Sequence, residues 1–106
     1  MRRFGLAIFR IAVAAGQINW QKHVLIRMAE RHVLQKDVIR VLLSGEVIRE
    51  YSNDRPFPSI LLLGWIDERP LHVVAAFDDE TTTAFIITAY EPSPDIFESD
   101  YKTKRV

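Results

Sequence analysis

The spacing of apolar and polar positions changes once along the chain, near residue 46. Before it, apolar residues recur at helical intervals; after it, they alternate or run together as they do in strands. Residues 4–15 predict a first helix, stopped by Gly16. "QINW" (17–20) reads as a short extended piece with Ile18 and Trp20 on one face. Residues 21–32 predict an amphipathic helix. With about 100° between successive residues, Val24, Leu25, Met28 and Ala29 fall on one side and His23, Arg27, Glu30 and Arg31 on the other. A third helix is expected over 36–43, ended by "SG" with Gly45 as a left-handed cap.

The remainder predicts strands. "EVIREY" (46–51) would set Val47, Arg49 and Tyr51 on one face and Ile48 on the other. "SILLLGWI" (59–66) is too apolar for a half-exposed strand and reads as central. "LHVVAAF" (71–77) and "TAFIITAY" (83–90) follow after the turn segments "DERP" and "DDETT". Short turns between successive strands imply an antiparallel meander. The expected fold is α+β: two to three N-terminal helices packed on a four-stranded antiparallel sheet. Residues 1–106 form a single domain, with 91–106 a surface tail docked through Ile96, Phe97 and Tyr101.

Composition narrows the chemistry. A chain of 106 residues can bury one core without staples. The absence of cysteine excludes disulfides, thiolate metal sites and cysteine nucleophiles, and it suits a reducing, cytoplasmic setting. The N-terminal "MRRFGLAIFRIAVAAG" has basic residues before an apolar stretch, but Arg10 interrupts that stretch after six residues. That is too short for a usual export signal or a membrane span, so no membrane association is expected. The net charge of zero hides a division. Residues 1–45 carry eight Lys/Arg against two acids, a net +6, and residues 46–106 carry a net −6. A positive side able to attract phosphate and internal neutralisation on folding are equally open readings.

There is no glycine-rich phosphate loop, nucleophile elbow, metal motif or cofactor motif. The acidic run Asp78, Asp79 and Glu80 reads as a solvated turn. Four features carry candidate chemistry. His23, Arg27 and Arg31 lie four apart on one helix face, where two guanidiniums and an imidazole can grip phosphate, although such a stripe is also an ordinary solvated face. Arg55 sits in the constrained loop "NDRPFPS", as an anion grip or as a partner of Asp54. His72 lies in an apolar strand on the face shared with Val74 and Ala76, either as a base or as a hydrogen-bonded interior residue. Tyr90 ends the last strand, facing a cleft or covering the sheet edge. Cleaving RNA without a metal needs a base for the 2′-hydroxyl, an acid for the leaving oxygen and cations for the phosphorane, roles that His, Tyr and Arg can fill.

The ordered segments "HVLIRMAER", "DV" (37–38), "GEVIREY", "DRPFPS", "LLLG", "RPLHVV" and "ITAYEP" resemble the domain of unknown function 4258 family over about residues 17–104. That resemblance implies kinship with RelE/ParE-like toxins, often metal-independent endoribonucleases acting on messenger RNA. It makes RNA, the ribosome and a small zinc-finger antitoxin the expected partners. Carried over by position, His23, His72 and Tyr90 are the candidate catalytic residues, and Arg27, Arg31 and Arg55 the candidate phosphate contacts. The alternative is a non-enzymatic protein-interaction module. Family members commonly have Gly-Ile-Ser where this chain has His32, Val33 and Leu34. Losing the glycine cap and the serine N-cap predicts a frayed or reshaped junction between the second and third helices.

Overall fold

Three helices and five strands make up the α+β chain, in a computed structural model that describes residues 4–106. The elements are α1 (Leu6–Ala14), β1 (Ile18–Asn19), α2 (Lys22–Glu30), α3 (Gln35–Ser44), β2 (Glu46–Tyr51), β3 (Ser59–Ile66), β4 (Arg69–Asp78) and β5 (Thr83–Tyr90). Arg2 and Arg3 lie outside the described residues.

The sheet order is β1-β5-β4-β3-β2. β2 to β5 form the expected antiparallel meander, but the sheet is five-stranded and mixed, because β1 joins β5 in parallel. Gly16 supplies the reversal that makes this addition feasible. At φ 80° it stops α1 and turns the chain along the sheet edge, where the Gln17 carbonyl accepts from the Ala84 amide at 3.0 Å. A two-residue strand has no side-chain period, so its pairing left no trace in the pattern.

All three helices contribute to one core on one face of the sheet. Phe9, Ala12 and Val13 of α1, Val24 and Met28 of α2, and Val38, Val41 and Leu42 of α3 meet Ile60, Leu62, Leu71, Val73, Ala75, Phe77, Ala84, Ile86 and Ala89. Two expected core positions on α2 are weaker than their apolar character suggested: Leu25 is half-buried and Ala29 is exposed. Arg10, the one polar side chain in α1, turns toward α3. Its Nε and Nη2 donate to the carbonyls of Leu42 (3.0 Å) and Gly45 (2.6 Å), satisfying the end of α3.

Two local expectations change. Gly45 is not left-handed; it is extended at φ −70° and ψ 164°. A Cβ there would lie 2.5 Å from the Val41 carbonyl oxygen, so close approach is what favours glycine. In β2, the register shifts between Val47 and Arg49. Val47 pairs with Leu62 and packs on the helix-side core, while Arg49 and Tyr51, opposite Leu61 and Ser59, share the other face. The bulge at Ile48 separates residues that strict alternation had grouped.

The α2–α3 junction is ordered, not frayed. His32 takes the left-handed conformation itself, at φ 57°, and its amide donates to the Ala29 carbonyl at 3.2 Å. The Val33 amide donates to the Met28 carbonyl at 2.8 Å, completing the paired bonds of a Schellman ending. α3 starts without a side-chain cap at Leu34, as the missing serine implied. Left-handed backbone costs a residue with a Cβ roughly 1–2 kcal/mol, part of which glycine gives back through its freer unfolded chain. His32→Gly is therefore expected to stabilise the fold by about 1 kcal/mol, raising the thermal midpoint by several degrees in calorimetry.

Candidate functional site

α2 owes its orientation to Val24 and Met28, which seat it over β5 and leave the opposite face to solvent. His23, Arg27 and Arg31, one turn apart along that helix, line a groove whose other wall is Ile87, Thr88 and Ala89 of β5. The groove exists because β1 covers β5 only at Ala84 and Phe85, leaving the later residues at the sheet edge. The β4–β5 register skips Ile87, which stands exposed there. Arg27 lies 3.5 Å from Glu30 in an exposed i,i+3 pair that holds it weakly. Arg31 is better anchored. Its Nη1 donates to Ala89 O at 3.2 Å and Thr88 Oγ1 at 3.3 Å, fastening the end of α2 to the strand edge.

His72 and Tyr90 pair across β4 and β5 on the face opposite the helices. His72 has no exposed surface. Its Nε2 lies 2.8 Å from the Tyr101 carbonyl, which can only accept, so Nε2 carries the proton. Nδ1 is then free to accept from the Tyr90 hydroxyl across a long 3.4 Å. Phe97 packs edge-on against the imidazole with ring centroids 4.9 Å apart. The expected surface tail thus crosses this face of the sheet, with Phe97 buried, Tyr101 half-buried and Ile96 exposed.

Burial pushes His72 below its ordinary pKa, against the Tyr101 carbonyl that favours the cation, and Arg49 adds to the lowering. Burial also raises the Tyr90 phenol, with Tyr51 raising it further and Arg31 opposing. The Arg31 charge is therefore felt at Tyr90, which connects the helix groove to the other face of the sheet. Arg49 and Tyr51 are neighbours that the sequence pattern did not nominate. Their signal lay in "GEVIREY", where a basic residue sits two before an aromatic in a strand.

Arg55 stands apart. It is exposed in the loop before β3 and lines a cavity with Phe57, Asp54, Asp78, Asp79 and Glu80. Asp54 accepts a hydrogen bond from Ser59 Oγ. Asp78 is six residues from His72 along β4, which is roughly 20 Å of strand. The structure therefore gathers His23, Arg27 and Arg31 into one groove and His72 with Tyr90 into one pair, and it leaves Arg55 at the far end of the sheet. Among the described residues, no group of three or more His, Asp or Glu side chains is placed to hold a metal ion. No helix among them is long and apolar enough to cross a membrane.

The family model described as "Domain of unknown function (DUF4258)" matches residues 20–91. The chain belongs to the DUF4258 family. The match contains α2, α3, β2 to β5, the helix groove and the His72–Tyr90 pair; α1, β1 and residues 92–106 lie outside it. No curated protein matches the sequence.

The lowered His72 pKa has a measurable consequence. The neutral imidazole is favoured in the folded state, so its contribution to stability is complete above the unfolded value near 6.5. That contribution is lost as the pH falls below 6.5 toward the folded value. Urea midpoints are expected to fall between pH 8 and pH 5, and His72→Gln is expected to flatten most of that fall.

Proposed function

We propose that this DUF4258 chain is a cytoplasmic toxin of RelE/ParE-like type that binds messenger RNA in the α2–β5 groove and cleaves it without a metal. The observation that carries this reading is the lining of one groove by His23, Arg27 and Arg31. Arg27 and Arg31, one turn apart, offer donors to the oxygens of neighbouring phosphates, with His23 one turn before them, and guanidinium grips phosphate in two-pronged fashion. The exposed Arg27 takes the incoming backbone. Arg31, already fixed on Ala89, offers its remaining donors to the phosphate under attack.

In this reading His23 accepts the proton of the 2′-hydroxyl. The 2′-oxygen attacks phosphorus, the bond to the 5′-oxygen breaks, and the returned proton neutralises that leaving oxygen. Tyr90, a phenol whose ordinary pKa lies well above neutrality, remains protonated at neutral pH, and burial raises its pKa further. Its hydroxyl meets His72 on the face of the sheet opposite the helices, so in this reading Tyr90 supports the end of β5 that Arg31 grips and does not touch the phosphorane. Shielded beneath the tail, His72 positions Tyr90. Arg55 lies too far away to share this step. Its place in the reading is a remote RNA contact, and a zinc-finger antitoxin would act by covering the groove.

A second reading has its own observation. Beyond the β1 pairing, the edge of β5 presents backbone groups of the kind a partner strand can join, and this favours a non-enzymatic interaction module. Incubating purified protein with transcripts and ribosomes separates the two. His23→Ala is expected to slow cleavage by on the order of 100-fold or more while preserving RNA binding. Arg27→Ala is expected to weaken binding and lower the salt slope by about one. Intact transcripts, together with normal growth on expression, would leave the interaction module as the better reading.

A further inference from the structure

The tail that crosses the second face of the sheet is closed on itself and rests on few contacts. Within it, the Glu98 amide donates to Thr103 O at 2.8 Å and the Arg105 amide to Ile96 O at 2.8 Å. Phe97 bridges Lys104, and the Arg105 guanidinium pairs with Glu98 at 3.0 Å. The Asp100 carboxylate fastens the bend by accepting from the amides of Thr103 and Lys102, which lowers its pKa to about 2. Beyond Glu91, only Pro92 and Phe97 are buried. Residues 92–106 also lie outside the span that matches the family model. A segment whose hydrogen bonds are internal and whose buried surface is small opens as a local unit, at a lower cost than the core.

Beneath the tail, two donors are aimed by groups that belong to the sheet. Tyr90 lies at Nδ1 of His72, so the imidazole keeps its proton on Nε2, directed at the tail. Arg49 Nη1 donates to the Ile48 carbonyl at 2.8 Å, which orients the guanidinium so that Nη2 reaches the same segment. Their acceptors are the carbonyl oxygens of Tyr101 and Lys102, consecutive residues whose Cα atoms stand about 3.8 Å apart. Donors from β4 and β2 therefore converge on one small patch. A neutral carbonyl is a weak counterpart for a half-buried guanidinium. Among the described residues, Arg49 takes part in no ion pair, while the neighbouring Lys102 is engaged with Glu46 at 3.3 Å.

We propose that the tail is an autoinhibitory strap over a phosphate-binding site, in which the Tyr101 and Lys102 carbonyls occupy the places of two phosphate oxygens. His72 Nε2 and Arg49 Nη2 are the donors of that site. A phosphate group bridges them as the two carbonyls do, and it brings the negative charge that the carbonyls lack. Tyr90 is a positioning residue, holding the imidazole in the tautomer that points its proton outward. Strap and phosphate exclude one another, so the affinity observed is reduced by the fraction of molecules whose strap is open. The site lies on the face opposite the helices, shares no residue with the α2–β5 groove and does not rest on the reading of that groove.

Titrating the full chain with inorganic phosphate, at ionic strength held constant with chloride, and following it by NMR tests this. The three histidines report separately, His23 from the groove, His32 from the helix junction and His72 from beneath the strap. Phosphate should shift the His72 ring signals, and the cross-peaks between the His72 and Phe97 rings, whose centroids lie 4.9 Å apart, should fade in step. Asp100→Ala loosens the bend from an exposed position without touching either donor, and should tighten phosphate binding at His72 by on the order of tenfold. Arg49→Ala also frees the strap, yet it should abolish the His72 response. Phosphate that shifts His23 alone overturns the proposal and leaves the groove reading standing. Cross-peaks that persist at saturation, an unchanged affinity in Asp100→Ala, a His72 response that survives Arg49→Ala, or acetate binding as well as phosphate also overturn it.

Discussion

A strand that is apolar on both sides has to be covered on both sides, and β3 imposes that constraint here. Six consecutive residues from Ser59 to Gly64 are buried. Ile60 and Leu62 face the helices, whereas Leu61 and Leu63 face the other way. Burying an aliphatic side chain contributes roughly 1.5–3 kcal/mol, so neither set can be left to solvent. The helices cover one face. At the other, Phe97 and Tyr101 come down beside His72 and Trp65. The interior position of His72 follows from this arrangement: a residue that strand alternation would offer to solvent becomes a second-core residue with every polar atom paired.

The helix groove follows from a different part of the same architecture. Because β1 is only two residues long, β5 remains an edge over the stretch where α2 crosses it. Arg31 reaches that edge and donates to an Ala89 carbonyl that would otherwise face water or a foreign strand. One side chain therefore closes part of an exposed edge and carries positive charge toward Tyr90. Five ion pairs among the described residues each join partners from the same half of the chain. Arg27–Glu30 and Arg40–Asp37 lie within the basic half, and Arg69–Glu91, Lys102–Glu46 and Arg105–Glu98 within the acidic half.

Much of this architecture could be read from residue pattern. Helical spacing located α2 and α3, and the apolar run 59–66 marked a strand interior to the sheet, next to the edge strand β2. What escaped was contact between segments without periodicity. Alanine is too small to declare its environment, so Ala29 was misread as core. A single-residue bulge at Ile48 reversed the assignment of Val47 relative to Arg49. The parallel pairing of Ile18 with Ala84 depends on a chain reversal and leaves no alternation. Among the site residues, the helical stripe was legible because its spacing is local. The partners of His72 were not, because its Nε2 bonds to a main-chain atom 29 residues away.

The docking of the tail relies on that kind of atom twice. His72 binds the carbonyl of Tyr101, and Arg49 Nη2 donates to the carbonyl of Lys102 at 2.8 Å. Main-chain acceptors survive replacement of the side chains that bear them, so these two hydrogen bonds do not depend on the side chains at positions 101 and 102. What must persist is the route of the chain: the buried ring at 97, the left-handed bend at 101 (φ 55°), and the Asp100 carboxylate that accepts from the amides of Lys102 and Thr103. Relatives that keep this covering would show it as a preserved path, with an aromatic, an acid and a bend-tolerant residue in order, more than as a preserved string of letters.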